Sequence, residues 1–297
     1  MPIAPGQWSF TRWTTIGQLE ALQVNHPLFS ARLFLQGAHL THFAPSGHSN
    51  WLWVSESARY ETGRAIRGGI PVCWPWFGEP AKNAPEVRRR IVAMKAHGFA
   101  RTAVWKLEDV RESAQTVEIS LSLDANRDFQ GLWQGRCRAL ITFRFSATEC
   151  QLALTTTNAD SQALAFSQAL HTYLPTPDIA NTKILGLEGA HYIDTLDQWQ
   201  AHTQNGPVTF SGETDRIYES DGPLRIVTPA GTQLVSSSGS DSTVVWNPGP
   251  EKSIRLSDFP TLGWQNMLCV ETANAANDYQ VLNQGQSHTL ALRLGKE

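Results

Sequence analysis

Short segments in which apolar and polar residues alternate recur along this chain. Between residues 116 and 124 (TVEISLSLD), valine, isoleucine and leucine occupy every second position, with polar residues between them. A period of two that is sustained in this way is typical of a strand with one buried face. Residues 136–145 and 150–157 repeat the pattern on either side of the polar turn SATE. The alternation restricts the chain to folds built mainly from β-sheet.

Strand-like segments continue to the end of the chain, and helical periodicity is scarce. Further segments are residues 30–43 with a bend or hairpin at Gly37, 50–54, 164–173, 183–187, 224–229, 232–237, 243–246 and 288–294. Many short strands separated by Gly, Pro, Asn and Asp predict an all-β sandwich or barrel. No flexible linker divides residues 1–297, so we expect a single domain, with about the first 25 residues as an N-terminal extension or edge.

Length and composition agree with one large β structure. The 297 residues exceed the usual length of a domain, but large β folds often reach this size as one unit. Hydrophobic residues make up 41% and charged residues 17%, as in globular rather than disordered chains. The net charge of −3 gives no basis for a nucleic-acid-binding surface.

The cysteines and the N-terminal sequence indicate where the protein resides. The four cysteines are scattered without CxxC spacing, which favours free buried thiols in a reducing compartment over a zinc or redox site. The first ten residues, MPIAPGQWSF, lack the charged start and apolar run of a signal peptide. No apolar run is long enough to cross a membrane. We therefore expect a cytoplasmic protein without a membrane partner.

The most unusual stretch opens with RGGIPVCWPWFG (residues 67–78) and closes with HGFAR (residues 97–101). Its glycines permit backbone angles that other residues avoid, and its prolines stiffen the chain. Such a segment forms a rigid, irregular loop that carries aromatic side chains. These side chains could form a surface suited to sugar rings. Alternatively, Trp74, Trp76 and Phe77 could simply fill the core.

The same stretch and four later motifs resemble a known family. RGGIPVCWPWFG and AHGFAR, followed in order by ALHTYL, TDRIY, WNPGP and CVETA, are similar to the hexose-phosphate mutarotase (glucose-6-phosphate 1-epimerase) branch of the aldose 1-epimerase family. Six ordered matches over most of the chain are far more specific than any single motif. The resemblance implies a galactose-mutarotase-like β-supersandwich. It also implies an isomerase that interconverts the α and β anomers of glucose 6-phosphate and related hexose 6-phosphates.

Mutarotation defines which side chains the site needs. One group must take the proton of the anomeric hydroxyl while another gives a proton to the ring oxygen. The open aldehyde then rotates about C1–C2 and closes with the proton roles reversed. A carboxylate and a histidine suit this exchange, because their surroundings can bring both to titrate near neutrality. We expect no metal and no other cofactor, and a monomer whose partner is a small sugar phosphate.

Two residues are candidates for the acid and the base. A lone strand histidine is more often structural than catalytic, but the resemblance places the family's general acid at His171 of ALHTYL. Glu271 of CVETA ends an apolar strand, where a buried carboxylate is costly and often marks a functional site. The resemblance places the family's general base there.

Two further residues match substrate-binding positions of the family. His97 of HGFAR corresponds to a second histidine that binds the sugar and supports developing charge; the alternative is a loop histidine that caps a backbone carbonyl. Asp215 of TDRIY matches a substrate-binding aspartate, although an aspartate in a turn is commonly a surface residue. The WNPGP motif (residues 246–250) is a candidate for a pocket wall or only a rigid turn.

An arginine stands at each end of the stretch from residue 67 to residue 101. The guanidinium group matches phosphate oxygens in pairs, and the resemblance implies that Arg67 and Arg101 bind the sugar phosphate. Residues 88–90 form a run of three arginines, which is typical of a solvated loop but could steer an anion. Ala96 stands where one family variant has glutamine, so we assign it no binding role.

Two histidines lie close together in a predicted strand. His39 and His42 are three apart on a strand and point to opposite faces, so they are unsuited to sharing a metal.

Two alternative functions stay open on the sequence. The first is a mutarotase of unphosphorylated aldoses, which would not need paired arginines. The second is a non-catalytic carbohydrate-binding protein on the same fold, which would be expected to lack His171 or Glu271.

Overall fold

A computed structural model describes residues 8–125, 129 and 131–297. Its strands are β1 (Thr11–Ile16), β2 (Leu19–His26), β3 (Phe29–Phe34), β4 (His39–Pro45), β5 (Val72–Cys73), β6 (Lys106–Glu112), β7 (Val117–Asp124), β8 (Cys137–Phe145), β9 (Cys150–Asn158), β10 (Leu164–Phe166), β11 (Gln168–Leu170), β12 (Tyr173–Pro175), β13 (Lys183–Leu185), β14 (His191–Asp194), β15 (Gln200–Thr203), β16 (Thr214–Glu219), β17 (Leu224–Thr228), β18 (Gly231–Ser238), β19 (Ser242–Asn247), β20 (Met267–Asn274), β21 (Gln280–Leu282) and β22 (Ser287–Lys296). The two α-helices are α1 (Pro85–Arg88) and α2 (Gly249–Arg255). The all-β prediction is confirmed.

The strands form two large antiparallel sheets and two small ones. The first large sheet, which carries the candidate site, has the order β15-β14-β16-β19-β20-β11-β5, and β12 pairs with β20 beyond β11. The second has the order β13-β17-β18-β22-β9-β8-β7-β6. Strands β1 to β4 form a four-stranded sheet with β1 at its edge, and β10 pairs with β21. The first seven residues of the expected N-terminal extension lie outside the described residues.

The period-two segments form the second large sheet in the expected way. Strands β7, β8 and β9 pair in continuous antiparallel register. Val117, Ile119 and Leu121 of β7 are fully buried, and they pack in the main core with the apolar face of β8 and β9. Burying such side chains stabilises the fold by roughly 1.5–3 kcal/mol each. Buried side chains of this sheet and of the first large sheet belong to the same core.

The prediction of one continuous strand over residues 164–173 is wrong, because side-chain and loop contacts interrupt the pairing twice. At the first break, the Ser167 hydroxyl bonds to the Asn83 side chain at 2.5 Å and accepts the Phe77 amide at 2.9 Å. At the second break, the His171 amide donates to the carbonyl of Pro71 at 3.0 Å. The segment therefore becomes β10, β11 and β12, with His171 in the second interval.

The aromatic residues of the segment at residues 67–78 are divided between the core and the surface. Trp74 and Trp76 are fully buried, and their ring nitrogens donate to Thr156 and to the carbonyl of Lys95, both at 2.9 Å. Phe77 is only partly buried and lines a cavity. The two interpretations of this stretch thus apply to different residues. The tryptophans anchor the loop so that its remaining side chains are held rigidly.

Cysteines and helices add two facts about the described residues. The four cysteines are buried and unpaired, and burial raises the pKa of Cys73 to about 12, so it remains a thiol. None of the helices described has the length and apolar character to cross a membrane.

Candidate active site

All six candidate site residues line one cavity of about 840 Å³ on the first large sheet. They are Arg67, His97, Arg101, His171, Asp215 and Glu271. Tyr173, Trp246 and Phe77 supply aromatic wall, so the WNPGP motif contributes its tryptophan to the pocket. A cavity of this size, with convergent polar groups on an apolar wall, is typical of a small-molecule site.

Sheet register brings His171 and Glu271 together. Leu170 pairs with Thr272 before the break in the strand, and Tyr173 pairs with Cys269 after it. The register is the same on both sides, so His171 lies directly opposite Glu271. Facing residues on neighbouring strands have Cβ atoms about 5 Å apart. The side chains meet accordingly, with His171 Nε2 at 3.3 Å from Glu271 Oε1.

The environment of this pair favours its neutral form. Glu271 is only 1% exposed, and burial, with the neighbouring Asp215 charge, raises its pKa well above the ordinary value. Burial, together with the charges of Arg101 and Arg67, lowers the pKa of His171 to about 3. Both shifts favour a proton on the carboxyl over a proton on the imidazole.

Two polar atoms of the pair have no hydrogen-bond partner among the described residues. They are Nδ1 of His171 and Oε2 of Glu271, and both are buried. The His171 ring is clamped by a stacked Tyr173 ring at 4.9 Å and by the edge of Trp246 at 6.0 Å. Unsatisfied buried polar atoms are rare in folded proteins, and each calls for an explanation. A hydroxylated ligand in the cavity would supply the missing partner for the carboxylate.

His97 lies where the HGFAR segment packs closely against the backbone of residues 74–78. Its backbone has a φ of 63°, and its amide donates to the carbonyl of Gly78 at 3.0 Å. The Gly78 amide in turn donates to Nδ1 of His97 at 3.3 Å, which places the ring proton on Nε2. The ring therefore accepts from a backbone amide and does not cap a carbonyl. Its centroid lies 5.9 Å from that of His171.

The glycine after His97 allows this close packing, and we expect Gly98→Ala to destabilise the protein strongly. Gly98 has a φ of 64°, and an added Cβ would lie 2.0 Å from the carbonyl oxygen of Trp74. Gly47 is the matched control, with a φ of 77° and nothing within 4 Å. Gly47→Ala should cost about 1–2 kcal/mol, the usual penalty of the left-handed region. Gly98→Ala should cost at least about 2 kcal/mol more. Denaturant unfolding of both variants measures the difference, and equal costs would contradict the close approach.

Asp215 lies on β16 and faces the cavity beside a lysine that the sequence did not indicate. Lys252 of α2 reaches Asp215 at 4.0 Å and Glu213 at 2.7 Å. The start of helix α2 packs closely against the residue before β16, since a Cβ at Gly249 would lie 2.5 Å from the Glu213 amide. Only this long-range packing places the lysine in the site. Burial raises the pKa of Asp215 to about 6, and Lys252 opposes the shift.

Asp215→Asn is expected to stabilise the fold at neutral pH while lowering activity. The carboxyl of Asp215 titrates near pH 6 in the folded protein and near 3.8 in its ordinary state, so the folded wild type loses stability as the pH rises through 6. The asparagine variant avoids this loss, and Lys252 keeps Glu213 as a partner. Thermal unfolding should show a gain above pH 6 that disappears below pH 3.8. A variant that is less stable across the whole range would contradict the assignment.

Arg67 and Arg101 reach the cavity without a carboxylate partner among the described residues. Arg67 donates to the Tyr173 hydroxyl at 3.3 Å and to the carbonyl of Ser257 at 3.5 Å. Arg101 donates to the carbonyl of Ala96 at 3.1 Å, and its buried Nε has no hydrogen-bond partner in the described part of the chain. Both guanidinium groups therefore retain free donors. Ala96 lines the wall and positions Arg101 through its carbonyl.

The remaining arginines and histidines considered in the sequence lie outside the cavity. Arg88 and Arg89 are exposed, and Arg90 donates to the carbonyls of Gln134 and Ala163; none of the three lines the cavity. His39 Nε2 lies 2.7 Å from the Gly68 carbonyl, and His42 Nε2 lies 2.8 Å from the Ser30 hydroxyl. Among the residues described, no three potential metal ligands come together.

Comparisons with known proteins identify the chain. The family model described as aldose 1-epimerase matches residues 20–295. A relative from Escherichia coli (strain K12), named "Putative glucose-6-phosphate 1-epimerase", is 32% identical over 277 residues, which are 92% of this chain and 89% of that protein. A relative of the same name from Salmonella typhimurium (strain LT2) is 33% identical over 276 residues, with the same coverage of both chains.

Solved structures have the same architecture. The crystal structure of a "putative mutarotase" from Salmonella typhimurium superposes with a TM-score of 0.88 at 30% identity, covering 100% of this chain and 97% of that chain. Galactose 1-epimerase from Lactobacillus acidophilus superposes with a TM-score of 0.73 at 11% identity, covering 97% and 99%. The second likeness concerns the fold alone and confirms the galactose-mutarotase-like prediction. The chain belongs to the aldose 1-epimerase family.

Proposed function

We propose that this protein interconverts the α and β anomers of glucose 6-phosphate, and of related hexose 6-phosphates, without a cofactor. The observation that carries the proposal is the buried pair of His171 and Glu271 at 3.3 Å, in a cavity that also holds two arginines without carboxylate partners. An acid and a base in one apolar pocket suit ring opening, and free guanidinium groups suit a phosphate.

The shared proton of the pair accounts for both halves of the reaction. In ring opening, ionised Glu271 takes the proton of the anomeric hydroxyl while protonated His171 gives its proton to the ring oxygen. The C1–O5 bond breaks and a carbonyl forms at C1. After rotation about C1–C2, the C5 hydroxyl attacks the other face of the carbonyl, His171 takes its proton and Glu271 returns a proton to O1. The pair holds one proton before and after each half.

His97 and Asp215 are assigned to holding the sugar. The His97 Nε2–H is free to donate to a sugar oxygen, since its Nδ1 is occupied by the Gly78 amide. Asp215 is a natural acceptor for sugar hydroxyls, and Lys252 beside it favours the charged form. A sugar bound between them would be fixed on two sides of the acid–base pair. Such positioning can supply several kcal/mol of rate enhancement.

The phosphate assignment rests on Arg67 and Arg101 and agrees with the names of the relatives. Two E. coli and Salmonella proteins at 32% and 33% identity carry names that specify glucose 6-phosphate. A mutarotase of unphosphorylated aldoses would gain nothing from uncompensated arginines in its pocket. A purely binding protein would not need a proton-sharing pair there.

An anomer assay with both sugars separates these functions. Freshly dissolved α-glucose and α-glucose 6-phosphate are followed by polarimetry, with and without enzyme. We expect kcat/KM for glucose 6-phosphate to exceed that for glucose at least tenfold, which corresponds to about 1.4 kcal/mol of phosphate recognition in the transition state. EDTA should leave both rates unchanged. Equal values would favour the unphosphorylated substrate, and no turnover of either sugar would favour a binding protein.

A further inference from the structure

Several cations of the cavity wall form no ion pair with a carboxylate of the described residues. Arg67, Arg101 and Lys95 line the cavity, and none forms an ion pair with a carboxylate in the part of the chain that the structure describes. Asp258 also lines the wall, but it is occupied by Arg59 at 3.3 Å and Arg64 at 2.7 Å. The wall therefore carries excess positive charge beside the acid–base pair.

Each arginine reaches His171 through one aromatic ring. Arg67 donates to the hydroxyl of Tyr173, whose ring stacks on His171 at 4.9 Å. Arg101 is fixed to the backbone next to His97, whose ring lies 5.9 Å from His171. In the low dielectric of a buried site, charges act on one another more strongly than in water. Both arginines lower the pKa of His171 and of His97.

The remaining groups that face His171 do not offset this field. His39 is neutral, since burial lowers its pKa to about 4, and Tyr173 is neutral, since burial raises its pKa. Glu271 is the acid in contact with His171. The charge of Asp215 adds to the effect of burial and raises the pKa of Glu271. These charges favour a proton on the carboxyl over a proton on the imidazole, and a protonated carboxyl cannot take the anomeric proton in the ring opening described above.

We propose that an anion held by Arg67 and Arg101 is an activator of the acid–base pair, and that it acts whether or not it is bonded to the sugar. Its negative charge offsets the arginines and moves the shared proton from the Glu271 carboxyl to Nε2 of His171. The carboxyl O–H bond breaks, the imidazole N–H bond forms, and no other group changes. The inference rests on the proposed mutarotase function and adds that the phosphate contributes to chemistry as well as to binding.

The test supplies the anion separately from a neutral sugar. Glucose mutarotation is measured with sulfate, which is fully ionised at neutral pH and so does not shuttle protons as phosphate buffer does. Potassium chloride at equal ionic strength and enzyme-free samples are the controls. We expect a saturable rise of about tenfold or more in kcat for glucose, the effect of one unit in pKa. The fall of activity on the alkaline side should also move to higher pH, because the anion raises the pKa of the pair.

A charge-neutralising variant gives an independent readout. Arg67→Gln removes one of the two opposing charges, so its glucose rate without sulfate should exceed that of the wild type, and its response to sulfate should be lost. Arg64→Gln is the matched control, because Arg64 lines the same cavity but is engaged by Asp258. It should retain the response to sulfate. A structural role for Arg67 would predict a loss, not a gain, on glucose.

The outcomes distinguish this inference from the proposed function. If glucose 6-phosphate is turned over faster than glucose but sulfate and chloride act alike on glucose, the phosphate serves binding alone and the activator proposal is overturned, while the proposed function stands. A full sulfate response in Arg67→Gln also overturns it, because the anion then acts elsewhere. If neither sugar is turned over at all, both proposals fail together.

Discussion

Glu271→Gln and His171→Asn are each expected to lower turnover by about 10²-fold or more, with the fold intact. Glutamine cannot take the anomeric proton, and asparagine cannot give one to the ring oxygen. Glutamine matches glutamate in volume, and asparagine is a smaller polar replacement for histidine, so the loss in kcat should far exceed any change in the unfolding transition. The measurement is single-turnover and steady-state mutarotation of glucose 6-phosphate, alongside thermal unfolding of each variant.

The double variant makes this test sharper. Proton donor and acceptor act as a unit, so the combined loss should be close to the larger single loss and well short of the product of the two. Glu79→Gln is a matched control, since Glu79 is an exposed carboxylate that lines the same cavity. Its kcat should stay close to that of the wild type. Wild-type turnover in either single variant would refute the proposed mechanism.

Arg67→Ala or Arg101→Ala should remove most of the preference for a phosphorylated sugar. The loss of a charge-assisted, partly buried phosphate partner costs roughly 2–5 kcal/mol. This energy corresponds to a fall of about 30- to several-thousand-fold in kcat/KM for glucose 6-phosphate, at 1.4 kcal/mol per decade. Lysine at either position should restore only part of the loss, because it keeps the charge but not the planar fork. Glucose should show no comparable loss.

Arg64→Ala is the control for this experiment. Arg64 lines the same cavity, but its guanidinium is bound by Asp258 at 2.7 Å, so it is not free for a ligand. It should change kcat/KM for either sugar by less than about tenfold. Equal losses on both sugars in the Arg67 variant would mean that this arginine supports the fold or the chemistry. No loss on either sugar would move the phosphate to other cations of the wall, such as Lys82 or Lys95.

The strands that pack against the second sheet could be predicted from local sequence alone. β7, β8 and β9 each have one buried face, and the alternation of apolar and polar residues in their sequences predicts it. The segment at residues 164–173 is equally apolar, yet it is broken by contacts with Asn83, Phe77 and Pro71, far away in the sequence. Local periodicity cannot report such partners.

The candidate site shows the same limit. His171 and Glu271 could be named from their motifs, but their contact depends on the register of β11 and β12 on β20, which lies about a hundred residues away. Lys252 has no local pattern that distinguishes it from any helical lysine, and only the packing of α2 against the segment before β16 brings it to Asp215. Lys95 is likewise recognised only once the loop has folded against Trp76.

The acid–base pair and the cations of the cavity belong to different kinds of structure. His171 and Glu271 are held by adjacent strands, in the interior of a sheet with fixed register. Arg67, Lys95 and Arg101 come from the segments that connect β5 and β6 to their neighbouring strands. The segments proposed to bind the substituent of the sugar can therefore be varied without altering the strands that hold the proposed acid–base pair. A mutarotase for a sugar acid or an amino sugar could be sought by randomising those connecting segments while leaving residues 168–175 and β20 untouched.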